Sequence, residues 1–102
     1  MPDPLHAIRL RGAWAVAGDG PRFRLTRPFG WPAALDPHER VWLVVAGAAP
    51  TDAVSVNGTP VGPEADITAL LRPRNVVTLV RATDSSPGEV TLEIRRADSA
   101  PA

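Results

Sequence analysis

An Asn-Gly pair between two short runs of alternating apolar residues is the feature that most limits what this chain can form. Val54 and Val56 alternate with Ala and Ser up to Asn57-Gly58, where the run stops. Asn and Gly tolerate the positive φ angles of a two-residue type I′ turn, so the pattern predicts a β-hairpin. A two-residue turn places Pro60 opposite Ser55, with its nitrogen pointing away from the first arm. Pro60 has no N–H to donate, so it loses no bond there. We therefore expect the second arm to be a short edge strand that ends at Gly62.

Other segments show the same period of two, which places alternate side chains on opposite faces of a strand. Residues 41–45 are instead continuously apolar and rich in β-branched side chains, a pattern typical of a strand covered on both faces. The alternating segments are residues 7–16, 22–26, 75–82 and 90–95. In the first of these, the side chains expected to face the core include Ile8, Leu10, Trp14 and Val16. With the hairpin, these segments give at least six strands.

Helical spacing occurs in one place only. Ile67, Leu70 and Leu71 recur at the i, i+3 and i+4 positions of one helix face. Asp66 is placed to cap the first turn, and Pro73 disfavours continuation of the helix. The sequence thus predicts an all-β fold, an antiparallel β-sandwich with one short helical turn.

Composition is consistent with one soluble domain of residues 1–102, with a core of about 7–96 and a frayed C-terminal tail. Eleven Arg balance eleven acidic residues, so no basic surface for nucleic acid is expected. The N-terminal residues do not resemble a signal peptide, and no apolar stretch reaches the length of a membrane span. We therefore expect a cytoplasmic protein with neither a nucleic-acid nor a membrane partner.

Catalytic side chains are scarce. The chain has two His and no Cys, Tyr or Lys. His38 lies near the carboxylates of Asp36 and Glu39, which is compatible with acid–base or metal chemistry. The alternative is an exposed histidine in a turn, and the lack of further partners favours it. We expect no catalytic residues, no metal site and no cofactor, and hence no enzyme.

The three tryptophans are the strongest candidates for ligand contact, because an indole face packs well against a pyranose ring. The apolar surroundings of Trp14 and Trp42 favour a core position for both. Trp31 lies in the longest irregular segment, where binding residues of rigid sandwiches tend to be found. Arg27 and His38 belong to the same segment and complete the expected ligand-binding set. The alternative for Trp31 is that it folds over the end of the sandwich and contacts no ligand.

Four motifs in a fixed order suggest a family. They are "LRGAW" at residues 10–14, "RVWLVVAG" at 40–47, "VSVNGTPVG" at 54–62 and "ADITALLRPRNVVTLV" at 65–80. In this order the sequence resembles the galactose-binding-like jelly-roll domains. It is most similar to the N-terminal sugar-binding domain of family 2 glycoside hydrolases such as β-galactosidase and β-glucuronidase. The similarity runs from about residue 8 to residue 96.

One departure from that family matters for function. Its enzymes carry a Gly- and aromatic-rich loop between the hairpin and the Asp-Ile-Thr turn, whereas here only "PEA", residues 63–65, intervenes. The catalytic barrel of those enzymes is also absent from this sequence. The resemblance implies a jelly-roll fold and a non-catalytic, carbohydrate-binding module. The alternative is a protein–protein interaction or assembly module that binds a partner or forms a homo-oligomer without a sugar site.

Overall fold

The structure is a computed structural model that describes residues 6–11, 14–31, 35, 37–83 and 88–96. The described part of the chain forms nine strands and one 3-10 turn, Thr68–Leu70. The strands are β1 (His6–Arg9), β2 (Ala15–Asp19), β3 (Arg22–Gly30), β4 (Glu39–Val45), β5 (Ala53–Val56), β6 (Thr59–Val61), β7 (Glu64–Asp66), β8 (Arg74–Arg81) and β9 (Val90–Arg96).

The strands form two sheets that pack as a sandwich. The first sheet has the order β1-β9-β4-β7 and the second the order β2-β3-β8-β5-β6. Every pairing between neighbouring strands is antiparallel. The predicted all-β antiparallel sandwich with one short helical turn is therefore confirmed.

The core lies between the two sheets and is built from alternate residues of each strand. Leu25 on β3 is directly opposite Leu79 on β8, and neither has exposed surface. Leu43 on β4 is likewise opposite Leu92 on β9. Period-two alternation places such residues on one face of each sheet. The buried apolar residues are Leu10, Leu25, Phe29, Val41, Leu43, Val45, Val54, Val56, Ile67, Val77, Leu79, Val90 and Leu92.

The hairpin has the predicted geometry. Asn57 and Gly58 adopt φ angles of 51° and 84°, as a type I′ turn requires. Val56 opposes Thr59 and Ser55 opposes Pro60 across the hairpin. Because β6 is the outermost strand of its sheet, the missing N–H of Pro60 leaves no neighbour without a donor. The edge position inferred from Pro60 is confirmed.

Residues 7–16 do not form the single strand expected from their alternation. The chain crosses from one sheet to the other, so that β1 belongs to the four-stranded sheet and β2 to the five-stranded sheet. Leu10 is buried, and Trp14 packs half-buried against the core. Ile8 and Val16 are 38% and 48% exposed, because the strands that carry them lie at the edges of their sheets. Both lie on the expected core-facing side, opposite the buried Leu92 and Leu25, but they are not buried there.

The outer face of β4 also differs from the expectation. Residues 41–45 were expected to be covered on both faces, but Trp42 and Val44 are only half-buried. The guanidinium of Arg95 lies over the Trp42 ring, 4.5 Å from the ring centre. Trp42 is therefore a residue of the outer sheet face, and the prediction that it belongs to the core was wrong.

The segment after the hairpin is more extended than predicted. Residues 63–65 were expected to be a plain link, yet β7 begins at Glu64 and pairs with β4. Asp66 ends this strand, so only Thr68–Leu70 remains as a helical turn. Ile67 is fully buried, and its N–H donates to the carbonyl of Val41 at 2.9 Å. This segment closes one end of the sandwich.

Candidate functional site

A buried amide organises the end of the sandwich that the 3-10 turn closes. The Asn75 side chain is 2% exposed and is the only buried polar residue in the described part of the chain. Its Nδ2 donates to the carbonyl of Arg72 at 2.7 Å and to that of Phe29 at 3.4 Å. Its Oδ1 accepts the backbone N–H of Arg72 at 2.8 Å. Asn75 thereby fixes the start of β8 against the end of β3.

The turn residue Asn57 extends this network to the hairpin. Its Nδ2 donates to Oδ1 of Asn75 at 3.0 Å and to the carbonyl of Leu70 at 2.8 Å. Its Oδ1 accepts the N–H of Val76 at 2.9 Å, and its own N–H donates to the carbonyl of Val76 at 2.9 Å. Sequence reasoning gave Asn57 only a conformational role in the turn. The structure adds a hydrogen-bonding role that joins the hairpin, the 3-10 turn and β8.

Asp66 fixes the entry to the 3-10 turn. Its Oδ1 accepts the N–H of Thr68 at 3.0 Å and the Thr68 hydroxyl at 2.7 Å. Its Oδ2 accepts from Nε of Arg40 at 2.8 Å. Burial by itself raises the pKa of Asp66, but the hydrogen bonds from Thr68 and Arg40 and the charge of Arg40 outweigh it. The pKa of this carboxyl is therefore below its usual value.

Thr68 links the 3-10 turn to β4 of the four-stranded sheet. Besides donating to Asp66, its Oγ1 accepts the N–H of Val41 at 2.7 Å. The Asp-Ile-Thr sequence is thus explained by structure: one residue caps the turn, the next fills the core and the third bonds to β4. These three residues need no ligand to account for them.

A pocket of about 250 Å³ lies beside this network. It is a shallow depression broadly open to solvent, and its wall is mostly apolar. The residues that line it are Trp31, Leu35, Thr68, Leu71, Arg72 and Pro73. Leu71, Arg72 and Pro73 come directly after the 3-10 turn, so the bonds of Asp66 before the turn and of Asn75 after it set the position of this part of the wall.

Trp31 also lines the pocket. It follows the last residue of β3, and its backbone N–H donates to the carbonyl of Pro73 at 3.1 Å. The side chain is half-buried and packs against the core. Its Nε1 atom is buried and has no hydrogen-bond partner among the described residues. Packing and the backbone bond therefore hold the ring in place, since the indole N–H does not.

Arg72 gives the pocket its charge. Its backbone is bound by Asn75, whereas its guanidinium forms no hydrogen bond or ion pair with the described residues. The described residues of the wall include no carboxylate and no imidazole. An aromatic ring and an arginine in one pocket offer a stacking surface and hydrogen-bond donors to a polar ring.

The structure places the three sequence-predicted ligand residues apart from one another. Trp31 lines the pocket. Arg27 lies on the core-facing side of β3, and its Nε and Nη1 donate to the carbonyls of Arg11 and Pro28 at 2.7 and 2.8 Å. His38 is exposed in the turn before β4 and is not among the described residues of the pocket wall.

Sequence reasoning did not single out Leu71, Arg72 or Pro73 as pocket residues. The available signal was the end of the helical spacing at Pro73. The end of a helical pattern predicts where the chain leaves the turn. It does not predict that Trp31 lies beside Pro73. That contact depends on the pairing of β3 with β8.

No protein-family model, curated protein or solved structure matches this chain. Among the described residues, no three His, Asp or Glu side chains are grouped as metal ligands would be. No helix in the same part of the chain is long and apolar enough to cross a membrane.

Proposed function

We propose that the chain is a non-catalytic, saccharide-binding module of the galactose-binding-like jelly-roll class, and that the pocket between Trp31 and Arg72 is its ligand site. The observation that carries this proposal is that one pocket is lined by both an aromatic ring and an arginine whose guanidinium has no partner among the described residues. Stacking against an indole suits the apolar face of a pyranose, and a guanidinium donates to its hydroxyl or ring oxygens.

The resemblance to sugar-binding domains supports the proposal from the sequence side. Asn57, Asp66 and Asn75 carry that resemblance. Asn57 and Asn75 bond to each other, Asp66 bonds to Thr68, and both sets of bonds hold the segment that lines the pocket. The size of the pocket suits one sugar residue, and its open side leaves room for a longer chain to continue into solvent.

A non-catalytic role is supported by the composition of the wall. Glycoside hydrolysis ordinarily needs two carboxyl groups across the scissile bond. The described wall residues provide none. The exposed position of His38 outside this wall gives the pocket no general base among the described residues.

The proposal is tested by titrating ¹⁵N-labelled protein with a panel of neutral and acidic mono- and disaccharides. We expect weak binding that shifts the resonances of Trp31, Leu71 and Arg72. Trp31→Ala should remove binding, whereas Trp42→Phe, on the outer sheet face, should leave it unchanged. Arg72→Gln should weaken binding without removing the aromatic wall, which covers the case in which Trp31→Ala does not fold.

Failure has a distinct signature. If no saccharide in the panel shifts the pocket resonances, or if Trp31→Ala and Arg72→Gln both bind as well as the wild type, the pocket is not the ligand site. Binding that is lost equally in Trp42→Phe would place the site on the outer face of the four-stranded sheet.

A further inference from the structure

β2 is an unusually open edge of the five-stranded sheet. Among the described strands its only neighbour is β3, and four of its five residues are exposed. Val16 is 48% exposed although it lies directly opposite the fully buried Leu25, on the core-facing side of the sheet. The strand contains no proline, and its single charged residue, Asp19, is the last of the strand and is ion-paired with Arg24 of β3.

The direction of the free backbone groups follows from the turn. Gly20 has a φ of 64° and precedes Pro21, so β2 and β3 are joined by a two-residue turn of type II′. The residues flanking such a turn, Asp19 and Arg22, form a hydrogen-bonded pair. Hydrogen-bonded and non-hydrogen-bonded pairs alternate along an antiparallel pair of strands. The N–H and C=O groups of Val16 and Gly18 therefore point away from β3.

The other three edges are less suited to pairing. Pro60 removes a donor from the outer side of β6. The three residues of β7 include Glu64 and Asp66, whose carboxylates are ion-paired with Arg95 and Arg40. β1 has only four residues and ends in the basic residue Arg9, whose charge discourages pairing at an edge.

We propose that two copies of this chain associate through β2, in an antiparallel pairing with a twofold axis at Ala17. Val16 of each copy then faces Gly18 of the other, and the two residues exchange both of their outward hydrogen bonds. A side chain has room there, because the space around the missing Cβ of Gly18 is empty to 4 Å. The five-stranded sheets of the two copies become one continuous sheet.

Charge and shape favour a second copy as the occupant. Each chain has a formal net charge of zero, so two copies do not repel one another. In this register Asp19 lies opposite Ala15 of the other copy, so no like charges face each other across the axis. Small side chains at Ala15 and Ala17 let the edges approach closely. A five-residue strand buries little area, so the association is weak and concentration-dependent.

Sedimentation equilibrium of the wild type and charged variants tests this pairing. Ala17→Lys and Ala17→Glu each place two like charges directly opposite one another at the axis, and each should raise the dimer dissociation constant at least about tenfold. An equimolar mixture of the two variants should restore association as a heterodimer, because opposite charges then meet. Thr59→Lys on β6 is the matched control and should associate like the wild type.

Circular dichroism of each variant checks that the fold is kept. The mixture of Ala17→Lys and Ala17→Glu is a second control, because mixing would not restore association to variants that had failed to fold. A wild type that stays monomeric at about 1 mM would overturn the proposal. The proposal would also be overturned if the mixture of Ala17→Lys and Ala17→Glu did not associate, or if Thr59→Lys lost association. Protection of β2 amides from hydrogen exchange in a monomer would show that the chain covers this edge itself.

Discussion

The side-chain amides of Asn57 and Asn75 are hydrogen-bonded to each other, Nδ2 to Oδ1 at 3.0 Å, although 17 residues separate them in the chain. The first is the turn residue of the hairpin and the second is buried at the start of β8. This pair joins a surface turn to the core, so the hairpin is part of the structure that positions the pocket wall.

The first prediction concerns this network. Asn57→Gly keeps a residue suited to positive φ but removes the side-chain amide. We expect the free energy of unfolding to fall by about 1 to 2 kcal/mol, because the buried partners of the amide lose their hydrogen bonds. Asn75→Ala leaves the backbone N–H and C=O of Arg72 without partners. It should lower the free energy of unfolding by about 2 kcal/mol or more. Urea denaturation measures both. An Asn57→Gly variant as stable as the wild type would show that the residue acts through its backbone alone.

The second prediction tests the conformation of the turn. Gly58 has a φ of 84° and no heavy atom within 4 Å of a Cβ added there, so strain rather than a clash decides the outcome. Gly58→Val should lower the free energy of unfolding by about 1 kcal/mol or more. Gly58→Asn should cost less, since Asn tolerates positive φ. Equal midpoints of denaturation for the two variants would contradict the strain argument.

The third prediction is a dependence on pH. Because the pKa of Asp66 is lowered in the folded state, the unfolded chain takes up a proton at this group more readily. The stabilisation is present above the unfolded pKa of about 4 and is lost as the pH falls through the folded value. The stability difference between the wild type and Asp66→Asn should therefore shrink from pH 7 towards pH 3.

A matched control for this pH series is Glu89→Gln. Glu89 is ion-paired with Arg9 at 3.4 Å, but both side chains are more than half exposed, so the variant should differ little from the wild type in stability. A difference for Asp66→Asn that stays constant across the pH range would show that loss of the negative charge is not the cause.

The fourth prediction separates two adjacent residues of β4. Leu43 is fully buried, so Leu43→Ala should cost about 2 to 5 kcal/mol. Trp42 lies on the outer face under Arg95, and Trp42→Ala should cost less, about 1 to 2 kcal/mol, from lost packing and the cation–π contact. Thermal or urea unfolding of both variants makes the comparison. A larger loss for Trp42→Ala would place its ring in the core.

The local sequence was sufficient for features that depend on neighbouring residues. The type I′ turn at Asn57-Gly58 follows from backbone sterics, and the edge position of β6 follows from the missing N–H of Pro60. The inward residues of β3 and β9 follow from the period of two. Each of these inferences needs only the geometry of one strand or one turn.

Features that depend on pairing between distant segments required the tertiary structure. Residues 7–16 alternate without a break, yet they are divided between two sheets because alternation is the same whichever partner a strand has. Trp42 has an apolar sequence environment, but its exposure depends on whether anything covers the outer face of β4.

The same distinction applies to the candidate site. The sequence identified Trp31 as the loop aromatic most suited to ligand contact, since its irregular segment lies outside every alternating run. That Trp31 and Arg72 line the same pocket, while Arg27 binds main-chain carbonyls instead, was decided by the register of β3 with β8 and by the hydrogen bonds of Asn75. Local sterics are encoded by adjacent residues, whereas a pocket is defined by the distance between segments that only folding brings together.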